Sequence, residues 1–263
     1  IPDQLNADIA YRIGNATAKF LQGKRIVVGR DMRLSSAEFA DAVIRGITDA
    51  GADVIDIGLC GTEMVYFGVT HADADGGIMI TASHNPADYN GLKLVREQAR
   101  PISADTGLVD IRALAEQDER EVAATPGQRI ETSILAEYVD HMMSYIDVAQ
   151  LKPLKLVANA GNGCAGIALD QLEPRLPFAI EKIYNEPDGT FPNGIPNPLL
   201  PENRAATADA VVASGADMGI AWDGDFDRCF FFDEKGGFIE GYYVVGLLAA
   251  SLLKDHPGQK IVH

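Results

Sequence analysis

Short apolar runs and amphipathic segments alternate along this chain of 263 residues. Residues 25–29 and residues 53–57 form apolar runs that predict two strands. Between them, apolar side chains recur with a helical period, at Phe39, Ala40, Val43, Ile44 and Ile47. Ser35 and Glu38 have the spacing of a capping box at the start of this helix, and Gly51 ends it. A strand, a helix and a strand in that order predict parallel strands joined by a right-handed crossover.

The same plan restarts after a loop at residues 123–127. Three further apolar runs predict strands, at residues 154–158, 178–184 and 217–222. A turn at Gly161 opens one intervening helix, and residues 202–214 form the other. The pattern therefore predicts an α/β protein with largely parallel sheets.

A third restart begins near the end of the chain. A helix is predicted from Glu240, and residues 260–262 begin another strand. A strand that ends at His263 cannot complete a crossover, and Ile1 is not an initiator methionine, so we expect a fragment that is truncated within a third domain. The predicted domains are residues 1–126, 127–235 and 236–263.

Ser83 follows an apolar run at residues 77–82 and precedes a turn at residues 84–86. Its hydroxyl is expected at the carboxyl end of a strand, where open α/β sheets bind ligands. A serine-hydrolase nucleophile would stand in Gly-x-Ser-x-Gly, and these glycines are missing. Taken alone, Ser83 is more simply a turn residue that caps local backbone groups. The adjacent His84 is poor evidence for a general base, since neighbouring side chains of an extended backbone point to opposite sides.

Asp223, Asp225 and Asp227 place three carboxylates at alternate positions after residues 217–222. Two unit charges about 4 Å apart repel by about 4 kcal/mol at an effective dielectric constant of about 20, so converging aspartates need a cation. Oxygen ligands favour a hard ion such as Mg²⁺. The spacing also fits the start of an EF-hand calcium loop, but Arg228 stands where that loop needs glycine. For this run by itself, a solvated acidic turn between two strands is the simpler alternative.

Composition narrows the classes of function. A formal net charge of -16 opposes binding to nucleic acids and anionic membranes, since both require lysine and arginine against phosphates. The three cysteines are widely spaced, so we expect small buried thiols rather than disulfides or a zinc site. Residues 242–253 are apolar but too short to span a bilayer, and we predict a core helix there. These features indicate a cytoplasmic enzyme. Four basic residues near Ser83 and the three aspartates would form a positive pocket on this acidic protein, namely Arg30, Arg33, Lys93 and Arg228.

Residues 161–166 match Gly-x-Gly-x-x-Gly between a strand and a helix, as in a dinucleotide-binding turn. Glu181 or Glu186 would then bind the ribose. A nicotinamide-dependent oxidoreductase is therefore one alternative function, although tight strand-to-helix packing is sufficient to explain the glycines. A magnesium phosphatase with an Asp-x-Asp nucleophile is another, and it has no use for Ser83. A non-catalytic phosphosugar-binding module is the third, and loss of the nucleophile or of a metal ligand would indicate it.

Two motifs carry a family resemblance, TASHNPADYNGLKLV at residues 81–95 and DGDFDR at residues 223–228. In sequence, order and separation they resemble the α-D-phosphohexomutase superfamily, and residues 215–249 look most like its bacterial phosphomannomutase/phosphoglucomutase branch. The resemblance implies tandem three-layer αβα domains with mixed, largely parallel sheets. Members of that family have four domains, of which this chain would hold two and the opening of a third.

The resemblance also implies a reaction, the interconversion of hexose 6-phosphate and hexose 1-phosphate, with mannose or glucose as the sugar. It implies that Ser83 carries a phosphate and that a 1,6-bisphosphate forms as a bound intermediate. Asp223, Asp225 and Asp227 would bind Mg²⁺ together with an oxygen of the phosphorylated Ser83.

Further roles follow from the same resemblance. Lys93 matches a family lysine near the transferred group, where it would accept or donate the hydroxyl proton, and Arg228 matches an arginine beside the phosphoserine. His84 is assigned to the catalytic group, and Asn85 and Arg33 are assigned to substrate binding. The expected cofactors are Mg²⁺ and a glucose or mannose 1,6-bisphosphate primer. The expected partner is a phosphosugar, with no nucleic acid or membrane, and the expected state is a monomer.

Overall fold

The computed structural model describes residues 4–117 and 122–261. The first half of the chain, from α1 to β5, alternates helices and strands. Its elements are α1 (Ala7–Leu21), β1 (Arg25–Arg30), α2 (Ser36–Asp49), β2 (Asp53–Leu59), α3 (Thr62–His71), β3 (Gly76–Ile80), β4 (Leu92–Arg96), α4 (Leu108–Ala115) and β5 (Arg129–Glu131).

The second half, from α5 to α8, repeats the plan. Its elements are α5 (Leu135–Met143), β6 (Lys155–Asn159), α6 (Ala165–Leu172), β7 (Ala179–Ile183), α7 (Ala205–Ser214), β8 (Met218–Trp222), β9 (Cys229–Phe232), β10 (Phe238–Ile239) and α8 (Gly241–Asp255). The helix predicted at residues 202–214 is divided, because a short 3₁₀ turn at Pro201–Asn203 precedes α7.

Each half forms a five-stranded mixed sheet. The first has the order β4-β3-β1-β2-β5, with β4 antiparallel to β3 and the other pairs parallel. The second has the order β10-β9-β8-β6-β7, with β9 antiparallel to both of its neighbours. The prediction of tandem αβα domains with mixed, largely parallel sheets is confirmed.

The central strand β1 shows how the layers arise. Ile26 and Val28 lie in a core formed with α1 and α2, whereas Val27 between them lies in a second core formed with α3 and α5. Successive side chains of a strand point to opposite faces, so a strand that is apolar throughout needs helices on both sides. The parallel strands β1, β2 and β3 have their carboxyl ends at the same end of the sheet.

The capping box predicted at the start of α2 is absent. Ser35 has helical backbone angles (φ -85°, ψ -11°) and makes no capping hydrogen bond with its side chain. A capping side chain needs an extended backbone at that position. Oγ of Ser35 accepts a hydrogen bond from Asn90 Nδ2 at 2.9 Å instead.

β5 lies beyond the boundary predicted at residues 126 and 127, yet it pairs with β2 in the first sheet. Arg129 secures this edge strand through Asp56, with Nη2 2.6 Å from Oδ2. The first sheet therefore continues past residue 126. The division of the chain into three domains stays a prediction.

The end of the chain differs from expectation. α8 forms as predicted, but it is not a core helix, because Tyr242 is 65% and Leu247 is 72% exposed. Burial needs an opposing surface, and the described residues do not provide one. Residues 260 and 261 do not form the predicted strand, while Val262, His263 and Ile1 lie outside the described residues.

Two of the three cysteines are buried as expected, Cys60 and Cys164, but Cys229 is exposed at the start of β9. Among the described residues, no helix combines the length and the apolar character needed to cross a membrane.

Candidate active site

Ser83 lies just beyond the carboxyl end of β3, in a strained turn. Its φ of 53° is left-handed, a conformation that residues other than glycine rarely adopt. The backbone N–H of Ser83 donates to Thr81 Oγ1 at 2.8 Å, and its carbonyl oxygen accepts from Arg33 Nη2 at 2.9 Å. Strained positions of this kind cluster at functional sites, where surrounding contacts hold them.

The hydroxyl of Ser83 faces residues from the second half of the chain. Oγ donates to Asp223 Oδ2 at 2.6 Å and accepts from Arg228 Nη2 at 2.6 Å. Nδ1 of His84 lies 3.2 Å from the same Oγ and also contacts the guanidinium of Arg228. Opposite sides are expected for adjacent side chains only on an extended backbone, and the left-handed conformation of Ser83 brings these two together instead.

The three aspartates converge. One carboxylate oxygen of each lies within 4.8 Å of the others. Asp223 and Asp225 are fully buried, and the side chain of Asp227 is 25% exposed. Their loop connects two antiparallel strands, with Trp222 opposite Cys229, whereas an EF-hand loop connects two helices.

The cluster fits a divalent cation by its donors. Oδ1 of Asp225 is buried and has no hydrogen-bond partner, which is costly for a carboxylate unless another ligand satisfies it. All the oxygens offered by Asp223, Asp225 and Asp227 are hard donors, as Mg²⁺ prefers. These three residues could therefore hold the ion.

Two residues of the first half contact the same carboxylates. Lys93 Nζ donates to Asp225 Oδ2 and to Asp227 Oδ2, each at 2.6 Å. Thr62, at the start of α3, donates through Oγ1 to Asp225 Oδ2 at 2.5 Å and through its backbone N–H to the Asp225 carbonyl at 3.0 Å. Sequence reasoning missed Thr62. Its position after the carboxyl end of β2 is the only signal that could have found it.

Burial and neighbouring charges set the protonation states of the site. Burial, and next the charge of Asp225, raise the pKa of Asp223 to about 6. For Asp225, burial raises the pKa, but the charge and hydrogen bond of Lys93 and the hydrogen bonds of Thr62 and Ser83 together lower it below its ordinary value. For Lys93, burial lowers the pKa, but the two aspartates outweigh it and the pKa is raised. Burial and then Arg228 lower the pKa of His84. Near neutral pH, Lys93 is therefore a cation and His84 is neutral.

The glycine turn at residues 161–166 packs against protein backbone. A Cβ on Gly163 would lie 2.7 Å from the carbonyl oxygen of Gly224, in the aspartate loop. A Cβ on Gly166 would lie 1.9 Å from the carbonyl oxygen of Asn185. The backbone N–H of Cys164 also donates to the Gly224 carbonyl at 2.9 Å. Close packing thus accounts for the glycines without a dinucleotide.

The two residues assigned to substrate binding differ in their surroundings. Asn85 is exposed beside Ser83. The side chain of Arg33 is fully buried, its Nη atoms donate to carbonyl oxygens of the loop that follows Ser83, and its Nε lies 3.3 Å from Asp31 Oδ2. The Nη atoms of Arg33 are therefore occupied by the loop, and its Nε is buried, so the guanidinium does not face solvent. The positive pocket on the acidic protein stays a prediction.

Fold and site together define a tandem α/β protein that can hold a divalent cation beside a serine hydroxyl, at the carboxyl ends of its strands. Comparison with known families identifies the chain more closely. The model for phosphoglucomutase/phosphomannomutase α/β/α domain I matches residues 1–121, and the model for α/β/α domain II matches residues 136–237. The chain belongs to the phosphoglucomutase/phosphomannomutase family.

Similar proteins agree with this assignment. A protein of Xanthomonas campestris pv. campestris named "Phosphohexose mutases" is 57% identical over 263 residues, which are 100% of this chain and 59% of that protein. A phosphomannomutase of Escherichia coli K12 is 57% identical over 268 residues, covering 99% of this chain and 59% of the relative. A family member from Burkholderia thailandensis has a crystal structure with a TM-score of 0.88 at 32% identity, covering 98% of this chain and 57% of the other. The chain thus spans about three fifths of the length of these curated relatives.

Proposed function

We propose that this chain is part of a phosphohexomutase that interconverts hexose 6-phosphate and hexose 1-phosphate, with mannose or glucose phosphates as substrates. The observation that carries the proposal is the Ser83 hydroxyl, held 2.6 Å from both Asp223 Oδ2 and Arg228 Nη2. The names of the Xanthomonas and Escherichia relatives support the reaction. A cytoplasmic monomer whose partner is a phosphosugar is part of the same proposal.

In the proposed reaction, Ser83 carries a phosphoryl group. The P–O bond to Ser83 Oγ breaks as a P–O bond to the free sugar hydroxyl forms, which gives a hexose 1,6-bisphosphate. Transfer of the other phosphoryl group back to Ser83 completes the cycle. A glucose or mannose 1,6-bisphosphate would prime the unphosphorylated protein by the same transfer.

Each transfer is accompanied by one proton transfer, from the sugar hydroxyl to Ser83 Oγ when the sugar is phosphorylated, and from Ser83 Oγ to the sugar oxygen when the phosphoryl group returns. His84 supports this step, since Nδ1 lies 3.2 Å from Oγ and the lowered pKa keeps the ring neutral and able to accept a proton. Lys93 has a raised pKa and two carboxylate partners, which suit a fixed positive charge better than a base. Arg228 would hold the phosphoryl oxygens, and the exposed Asn85 would contact the sugar phosphate.

Mg²⁺ would be held by Asp223, Asp225, Asp227 and an oxygen of phosphorylated Ser83. When bound, the ion supplies positive charge that neutralises the phosphoryl oxygens. Positioning and charge neutralisation are the main contributions a protein makes to phosphoryl transfer. The residues around Ser83 would supply both positioning and charge neutralisation, because contacts between the two halves of the chain hold them in place.

The intact mass of the native protein tests the proposal. We expect a fraction of molecules to carry one phosphoryl group, located on the peptide that contains Ser83. Incubation with excess hexose monophosphate should remove it, since the group passes to the sugar. An active protein without phosphate on Ser83 would exclude the covalent mechanism.

Magnesium affinity is expected to fall as the pH drops through 6. The pKa of Asp223 is raised to about 6, so the carboxylate is ionised above that pH and protonated below it. Because metal binding requires the ionised form, the affinity should fall about tenfold between pH 7 and pH 5. Calorimetric titration at both values measures the change. Asp223→Asn should bind magnesium weakly with little pH dependence, and equal wild-type affinities at both pH values would contradict the expectation.

A further inference from the structure

We propose that Arg33 is a positioning residue, which fixes the loop that carries Ser83 and aligns that loop with the second half of the chain. The catalytic part of this inference rests on the proposed function, because it requires that Ser83 receives the phosphoryl group. The structural part concerns the loop alone.

The guanidinium of Arg33 binds one loop through four carbonyl oxygens. Nη1 donates to Pro86 at 2.6 Å and to Tyr89 at 3.0 Å. Nη2 donates to Ser83 at 2.9 Å and to Asn85 at 2.6 Å. Hydrogen bonds from a charged donor are stronger than neutral ones, and the planar fork of arginine fixes their directions. A single side chain therefore binds four carbonyl groups along the path from Ser83 to Tyr89.

Arg33 is itself anchored to rigid elements of the first sheet. Its Nε lies 3.3 Å from Asp31 Oδ2, and both side chains are fully buried. Oδ1 of Asp31 accepts from the backbone N–H of Arg33 at 3.0 Å and from Ser36 Oγ at 2.5 Å, at the start of α2. The loop is thus connected through Arg33 and Asp31 to β1 and α2, which are part of the core.

The second half of the chain packs on the other side of Arg33. The ring of the buried Phe191 lies 5.1 Å from Arg33 Cζ, a cation–π arrangement. A Cβ on Gly189 would lie 2.2 Å from the carbonyl oxygen of Met32, so the two backbones are in close contact there. Phe191 belongs to the same half as Asp223. Arg33 therefore lies between the loop of Ser83 and the half that supplies the carboxylates.

These contacts give Arg33 a role through backbone rather than through substrate. It does not touch Ser83 Oγ, and its N–H groups face carbonyl oxygens and Asp31. A lysine would keep the positive charge but offer only three N–H donors on one compact ammonium, too few for four carbonyl oxygens. Arg33→Lys thus separates the fork geometry from the charge.

The first test measures amide hydrogen exchange of residues 83–90 in the complete protein without substrate. Arg33→Lys should raise exchange in this segment by about tenfold or more, while exchange in the β1 and β2 strands stays at the wild-type level. Arg129→Lys is the matched control, because Arg129 lies on the edge strand β5 of the same sheet and pairs with Asp56 there. This variant should leave exchange of residues 83–90 at the wild-type level. If Arg33→Lys does not fold, Phe191→Leu removes only the ring and should raise exchange in the same segment. Unchanged exchange in whichever of these variants folds would overturn the inference.

The second test is steady-state kinetics of the same proteins with hexose 1-phosphate. Arg33→Lys should lower kcat by on the order of 100-fold with KM within about threefold, since a small displacement of a reacting group costs that much. A raised KM at unchanged kcat would show substrate binding and overturn the positioning role. The proposed function fails separately, by the absence of phosphate on Ser83 in the wild type, and the exchange experiment still decides whether Arg33 holds the loop.

Discussion

Replacing Ser83 by alanine is expected to lower mutase turnover by three orders of magnitude or more, the scale on which loss of a nucleophile acts in covalent enzymes. The substitution removes Oγ, the atom that lies 2.6 Å from Asp223 Oδ2 and from Arg228 Nη2. Alanine tolerates the left-handed backbone about as well as serine does, so the loop should keep its shape. A coupled assay of hexose 1-phosphate conversion, primed with the 1,6-bisphosphate, measures the loss in the complete protein.

The control for this variant is Ser214→Ala, which removes a hydroxyl whose Oγ donates to the carbonyl of Val211 at 3.3 Å, at the end of α7. Its turnover should match the wild type. Peptide mass analysis should find phosphate in the control and none at position 83 of Ser83→Ala. If Ser83→Ala kept the wild-type rate, or kept a phosphatase activity that the aspartates alone supply, the phosphoserine mechanism would be wrong.

The fold was largely predictable because the buried strands leave a direct signal. Strands apolar on both faces, each followed by an amphipathic segment, specify a sheet covered by helices on both sides. The strand bounds observed for β1 and β8 lie close to those predicted. α8 shows the limit of this reasoning, since an apolar helical pattern predicts a helix but does not identify the surface that covers it.

The sequence predicts candidate site residues at strand ends, but it does not show their contacts. Ser83 and Asp223 were expected at the ends of strands, yet sequence could not show that their oxygens lie 2.6 Å apart across two sheets. The contact depends on a left-handed backbone at Ser83 and on a loop path fixed by Arg33. The proximity of Arg33 to Ser83 could be predicted, because β1 and β3 are neighbouring parallel strands and the residues that follow them lie at the same end of the sheet. The Arg33 side chain points inward to backbone carbonyl oxygens instead of outward to substrate. This direction is set by packing, which the sequence pattern does not show.

Magnesium is expected to stabilise the wild type and to lose most of that effect in Asp225→Asn. Asp225 is fully buried and its pKa is lowered, so the substitution removes a full negative charge from the cluster. Loss of a direct ligand should weaken magnesium binding on the order of 100-fold or more. At a concentration of 100 times the wild-type Kd, stabilisation should fall from about 2.7 kcal/mol to about 0.4 kcal/mol. Thermal unfolding with and without magnesium measures the difference.

The control is Asp209→Asn, the same chemical change at an exposed position of α7. It should keep the full magnesium response, which separates loss of a ligand from the change of one unit in net charge. In the absence of magnesium, Asp225→Asn should still fold but unfold below the wild-type temperature, because the lowered pKa of Asp225 means that the folded protein favours its charge, while asparagine keeps the volume and can still accept from Thr62 and Lys93. Equal magnesium stabilisation of the wild type and Asp225→Asn would show that the ion is held elsewhere, and the buried unpaired oxygen of Asp225 would then need another explanation.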